Sequence, residues 1–114
     1  MRKKTKASGT SFENRVKKHF VKYGWKVFRS AGSKSCADLI AFHKSGRTLW
    51  IQCKASELPS LGAAEKREIH TGQKFYGVEA LVVTRQPRTW ELVFWVFEND
   101  ISSQLVRCRT WSSE

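Results

Sequence analysis

Acidic residues are scarce in this chain. Ten Asp and Glu stand against 21 Lys and Arg, which leaves a formal net charge of +11 on 114 residues. So much like charge repels itself in a compact domain, and a polyanionic partner is its simplest explanation, with nucleic acid first. An anionic membrane is the competitor, but the chain has neither a long basic amphipathic helix nor an apolar run of about 18 residues, so no membrane partner is expected. Cysteine is scarce too: Cys36, Cys53 and Cys108 are odd in number, far apart and without C-x-x-C spacing. This argues against a disulfide framework or a zinc site and suits a reducing compartment. The basic N-terminus lacks the apolar segment of a secretory signal, so export is not expected and a cytoplasmic location is. His19, His43 and His70 are isolated, and without a second ligand at metal spacing each reads as a surface or packing histidine. There are no repeats and no low-complexity segments.

What is present is apolar and aromatic: 40% hydrophobic residues, with five Trp and seven Phe, enough for one core in one domain. Residues 1–9 carry Arg2, Lys3, Lys4 and Lys6 with almost nothing apolar, and read as a flexible basic arm able to lie along phosphates or simply to aid solubility. The single folded domain is then 10–114. Thr10-Ser11-Phe12-Glu13 has the form of a capping box, with Thr10 as N-cap. Phe12, Val16, Phe20 and Tyr23 recur at helical spacing up to Gly24, which sits where a left-handed residue ends a helix. A first strand is expected over Trp25–Arg29, followed by the small-residue loop Ser30-Ala31-Gly32-Ser33-Lys34-Ser35. Small and hydroxyl residues let the backbone approach a phosphate, so Arg29 and Lys34 are candidate phosphate contacts, and Ser30 and Ser33 candidate hydrogen bonders to a DNA backbone.

The centre of the chain is a hairpin pattern: an apolar run through Asp38-Leu39-Ile40-Ala41-Phe42, a loop, and Thr48-Leu49-Trp50-Ile51-Gln52-Cys53-Lys54. Gln52 and Lys54 are two apart and share a face. A two-residue turn, Ser45-Gly46, would set Asp38 against Cys53 and split the polar groups between faces. A three-residue turn, Lys44-Ser45-Gly46 with Gly46 left-handed, sets Asp38 opposite Gln52 and gathers acid, amide and ammonium on one face. The second arrangement is adopted. Beyond it, a short helix is expected over Ala63–Phe75, patterned through Ala64, Ile69 and Phe75, and a buried strand over Glu79–Thr84. Another strand, Thr89–Phe97, is apolar on nearly both faces. Either one face meets another subunit or both are used in the core. From Glu98 on, an irregular or helical tail is expected.

An acid on one strand and an x-x-Lys tripeptide on the next resemble the PD-(D/E)XK nuclease superfamily. The order Glu13, Arg29-Ser30-Ala31-Gly32-Ser33, Asp38, Gln52-Cys53-Lys54 is similar, over roughly residues 9 to 85, to the archaeal-type Holliday junction resolvases, including virus-encoded relatives. That resemblance implies an α/β, restriction-endonuclease-like fold, with a central mixed five-stranded β-sheet flanked by helices. It implies a Mg2+-dependent endodeoxyribonuclease, with Mn2+ able to substitute, that acts on four-way junctions as a homodimer; the location would be the host cytoplasm if the chain is virus-encoded. By resemblance the catalytic set is Glu13, Asp38, Gln52 and Lys54. Asp38, the Gln52 amide oxygen and the Cys53 backbone carbonyl would be metal ligands, and Glu13 would bind through water or hold a second ion. By the residues alone, Glu13 is explained by helix capping.

The family usually has glutamate where this chain has Gln52, which leaves the site one negative charge poorer. A Gln-x-Lys form is familiar from the related Mrr-like nucleases. Two alternatives follow: a Mrr-like or other nuclease of the superfamily with a different DNA preference, or a non-catalytic DNA-binding protein on the same fold.

Overall fold

The computed structural model describes residues 2–30, 37–56, 58–59, 61–89, 91–97 and 105–108, the backbone alone for 2–10 and 105–108. The elements are α1 (Arg2–Lys22), β1 (Lys26–Arg29), β2 (Leu39–Phe42), β3 (Thr48–Cys53), α2 (Ala63–Phe75), β4 (Glu79–Arg85), β5 (Leu92–Phe97) and β6 (Leu105–Cys108). The strands form one sheet in chain order. Neighbours are antiparallel except β3 and β4, which run parallel and are joined through α2. A parallel pair needs such a crossover, and α2 provides it. The mixed sheet flanked by helices is the expected architecture. Its first five strands are those read from the sequence, and β6 adds a sixth at the edge, within the stretch expected to be irregular or helical.

Strand alternation divides the core in two. On one face Leu39, Ala41, Leu49, Ile51, Leu81 and Val83 meet the α1 stripe of Phe12, Val16 and Phe20, all nearly fully buried. The stripe stops there, since Tyr23, expected to continue it, is exposed. Gly24 ends the helix as expected, with φ 91°. Its N–H donates to the Val21 carbonyl at 3.0 Å, that of Trp25 to the Phe20 carbonyl at 3.1 Å, and the Trp25 ring meets Phe20 edge-on. This paired arrangement satisfies the last helical carbonyls and turns the chain directly into β1.

The start of α1 corrects the sequence reading. The helix runs back to Arg2 across the segment expected as a flexible arm, so Thr10 lies inside it and is no N-cap. Arg, Lys and Ala are good helix formers, and a run of them extends the helix past a local capping signal. The first turn contains no acidic residue, so four cations gather at the helix end whose dipole is already positive.

On the other face α2 packs against β3 and β4. Its buried residues are Ile69 and Gly72, with Ile69 clustering with Ala80, Trp50, Leu61 and Phe97, while Ala64 and Phe75 of the expected pattern are exposed. Gly72 does not break the helix; it makes room for Trp50. A Cβ on Gly72 would lie 2.8 Å from two atoms of that ring, Cε3 and Cη2. Gly72→Ala is therefore expected to cost about 1–3 kcal/mol through overpacking, a fall of roughly 4 °C or more in Tm by thermal denaturation. An unchanged Tm would show that the ring has room to retreat.

Both faces of β5 are used within the chain. Leu92, Phe94 and Val96 join the α1 core, Phe97 joins the α2 cluster, and the Trp95 indole N–H donates to the hydroxyl of fully buried Thr84 at 2.8 Å. Core packing thus engages both faces of that strand, of which Val93 is buried and the other residues are partly exposed.

Candidate metal and DNA site

The hairpin turn decides the site. His43 N–H donates to the Arg47 carbonyl and Gly46 N–H to the His43 carbonyl, each at 2.9 Å, with Gly46 at φ 101°. This is the three-residue turn; its left-handed position suits glycine, which has no Cβ to clash. Leu39 pairs with Ile51 and Ala41 with Leu49, the register of the three-residue turn, and the ladder ends there with Asp38 just ahead of β2. Asp38 N–H donates to the Ile51 carbonyl at 2.9 Å, and an Asp38 carboxylate oxygen accepts the Cys53 N–H at 2.8 Å. The odd-numbered residues of the hairpin face α1. Gln52 and Lys54 therefore belong to the face that carries α2, and the Asp38 carboxylate reaches the same strand end at the Cys53 N–H between them.

The first turn of α2 brings a further acid to them. Gln52 Nε2 donates to Glu65 Oε2 at 3.2 Å, and Lys54 Nζ lies 3.6 Å from the same oxygen. The other oxygen, Glu65 Oε1, accepts the Gly62 N–H at 2.9 Å, half of a capping box. The cluster is neither sealed nor fully exposed: Gln52 is 9% exposed, and the Lys54 and Glu65 side chains 26% and 33%. Burial raises the Asp38 carboxyl above its ordinary value. The Cys53 N–H, the Lys54 ammonium and the Arg29 guanidinium pull it back, and Glu65 adds to the rise.

Glu13 is placed differently from Gln52 and Lys54. Its Oε1 accepts from Arg29, 3.1 Å from both Nε and a terminal nitrogen, and Arg29 also acts on Asp38, so Glu13 is linked to the cluster through that guanidinium. With Thr10 inside the helix, capping no longer accounts for Glu13. Cys53 turns its thiol to the α1 face, where burial, then Asp38 and Glu13, push it far above the ordinary thiol range, so it is no nucleophile. Ser30 N–H donates to the Asp38 carbonyl at 2.9 Å, which ties the phosphate-loop candidate to the acid. Ser33 and Lys34 lie outside the described residues, and Arg2, Lys3, Lys4 and Lys6 are described only as part of the backbone of α1.

Does this cluster suit a hard divalent cation? Among the described residues no group of three His, Cys, Asp or Glu could hold a metal, so a ligand set has to draw on other oxygens. One is waiting: Gln52 Oε1 is buried and has no hydrogen-bond partner among the described residues. A buried amide oxygen without a partner is costly, and so is a carboxylate short of solvent. A cation held by oxygen ligands removes both deficits, and these donors fit it.

Glu65 was not found from the sequence. A weak signal existed: after the Pro and Gly punctuation, a helix opening at Ala63 puts an acid in its first turn. Its contact with Gln52 and Lys54 depends on how α2 lies on the sheet, which no local pattern specifies.

A helix-flanked mixed sheet, with an acid just ahead of β2 and Gln-x-Lys running off the end of β3, is a restriction-endonuclease-like nuclease fold. The chain belongs to the archaeal Holliday junction resolvase (Hjc) family, whose model matches residues 4–103, and it is accordingly a junction-resolving nuclease. Its structure is similar to that of Hjc from Archaeoglobus fulgidus, a Holliday junction resolvase from an archaeal hyperthermophile. The TM-score is 0.67 and the sequence identity 29%, over 87% of this chain and 88% of that one. No curated protein sequence matches the chain. Nucleases of this family are metal-dependent.

Proposed function

We propose that the protein resolves four-way DNA junctions by Mg2+-dependent phosphodiester hydrolysis, working as a homodimer with one incision at each of two sites. The observation that carries this reading is the buried Gln52 Oε1, without a hydrogen-bond partner among the described residues, on the strand end where Asp38 meets the Cys53 N–H and Lys54 meets Glu65. Asp38, Gln52 Oε1 and the Cys53 backbone carbonyl would hold the ion, with Glu13 entering through water. When bound, a divalent cation activates a water and offsets charge on the phosphoryl and leaving oxygens. Lys54, its ammonium steadied by Glu65, orients the attacking water and stabilises the charge that develops on the phosphoryl group. Arg29, Ser30, Ser33 and Lys34 take the phosphates next to the cut, and the cations of α1 take those farther along an arm. Recognition then follows junction shape rather than base edges.

A twofold dimer supplies the two incisions needed for symmetric resolution. Exposed Phe28 and Phe42, packed edge-on at 5.9 Å on β1 and β2, offer apolar surface for it. The cytoplasm is the compartment this reading assigns, the host's if the chain is virus-encoded; among the described residues no helix is long and apolar enough to cross a membrane.

The test incubates labelled four-way junction, Y-fork and linear duplex with Mg2+, Mn2+ or EDTA. Paired cuts in the junction that need metal, with duplex cut far more slowly, are expected. Equal cutting of duplex would favour a nuclease of the superfamily with another preference. Tight junction binding without cuts in either metal would leave a DNA-binding protein.

A further inference from the structure

We propose that Glu65 is a positioning residue that makes up for the carboxylate missing at Gln52, by fixing which end of the Gln52 amide meets the metal ion. The assignment rests on the metal site proposed above and goes beyond it, because Glu65 belongs to α2 and not to the acid-and-lysine hairpin.

A carboxylate at position 52 would present oxygen to a cation whichever way it turned. An amide does not: one end is an acceptor, the other a pair of donors that repel a cation. Gln52 therefore serves as a ligand only if something selects its orientation. Glu65 Oε2, a carboxylate oxygen, accepts the Gln52 Nε2–H at 3.2 Å. That contact points the amino end toward α2 and leaves Oε1 buried and without a partner among the described residues. The same oxygen steadies the Lys54 ammonium at 3.6 Å, so one carboxylate sets both active groups of the Gln-x-Lys strand.

Glu65 is itself held. Its Oε1 accepts the Gly62 N–H at 2.9 Å, in the first turn of α2, where the helix dipole favours a negative charge. The negative charge that the strand lacks is thus present 13 residues later, brought back by the βαβ crossover.

The test measures Mn2+ binding to the DNA-free protein, from the electron paramagnetic resonance signal of the free ion. It compares wild type, Glu65→Ala, Glu65→Gln, Gln52→Glu and the double variant Glu65→Ala with Gln52→Glu, with Tm recorded for each. Removing an outer-shell partner of a ligand typically weakens metal affinity about 10- to 100-fold, and both Glu65 variants are expected to show such a loss. Glu65→Gln keeps an acceptor for Gly62 and so controls for helix capping. Gln52→Glu is expected to restore affinity in the Glu65→Ala background, and to raise it more there than in the wild type, because a carboxylate at 52 needs no orienting. Wild-type affinity in both Glu65 variants, with only Tm lowered, would overturn the assignment and reduce Glu65 to a helix cap; failure of Gln52→Glu to rescue would overturn it as well. Absence of Mn2+ binding by the wild type is a different failure: it removes the metal site, and this role with it.

Discussion

Asp38→Ala is expected to abolish junction cleavage while junction binding stays as tight as in the wild type or becomes tighter. Asp38 is the one acidic residue in the stretch 38–54, and its loss removes the principal ligand of the proposed ion. Deleting a single preorganised electrostatic group commonly costs on the order of 10²–10³ in rate, and losing the ion should cost at least that. Binding moves the other way because a negative charge leaves a phosphate site.

Alanine also strips the Cys53 N–H of its acceptor, so a loss of stability could be mistaken for a loss of chemistry. Asp38→Asn separates the two. It keeps an amide oxygen for the Cys53 N–H but carries no charge. Burial raises the Asp38 carboxyl in the folded state, so the folded protein holds that proton more readily than the unfolded chain does. Stability contributed this way is present below the unfolded value and lost as pH rises through the folded one; at neutral pH the ionised group is therefore a net cost. Asp38→Asn should then be inactive yet melt at or above the wild-type temperature near pH 7. Cleavage by either variant at the wild-type rate would remove Asp38 from the site.

The second large effect is on affinity. With a net charge of +11, binding should depend on counterion release from DNA. If about 6–10 phosphates are neutralised, junction affinity should fall about 10³- to 10⁵-fold between 50 and 200 mM salt. Replacing Arg2, Lys3, Lys4 and Lys6 by Gln should make the plot of log affinity against log salt shallower, by about 0.9 for each side chain that touches a phosphate. Those four residues lie within the first two turns of α1. The cleavage rate at saturating DNA should not change. A slope identical to that of the wild type would mean that the helix start points away from the DNA.

The hairpin that carries the candidate site could be read because a single residue set its register. Gly46 tolerates the left-handed backbone of a three-residue turn, and that turn sets Leu39 against Ile51, which leaves the Asp38 carboxylate at the Cys53 N–H beside Gln52. The α1 stripe was equally legible at Phe12, Val16 and Phe20, whose spacing repeats every turn. What could not be read depended on competition or on distance. At the start of α1 a capping pattern competed with a run of good helix formers, and the run won. Strand β6 is four residues long and exists through its pairing with β5, with Phe94 against Cys108 and Phe97 against Leu105. The two apolar faces of β5 looked alike in sequence, and only the placement of both helices shows where each is buried. Glu65 is the clearest case, since its partners lie on another element and a local reading ends at the helix cap.

Crystals of the protein soaked in Mn2+ and measured at an anomalous wavelength would test the proposed ion most directly. A peak about 2 Å from both an Asp38 carboxylate oxygen and Gln52 Oε1, with the Lys54 ammonium at the water beside it, is the predicted result. A peak bound elsewhere, or an amide turned so that Gln52 presents nitrogen to the ion, would contradict it.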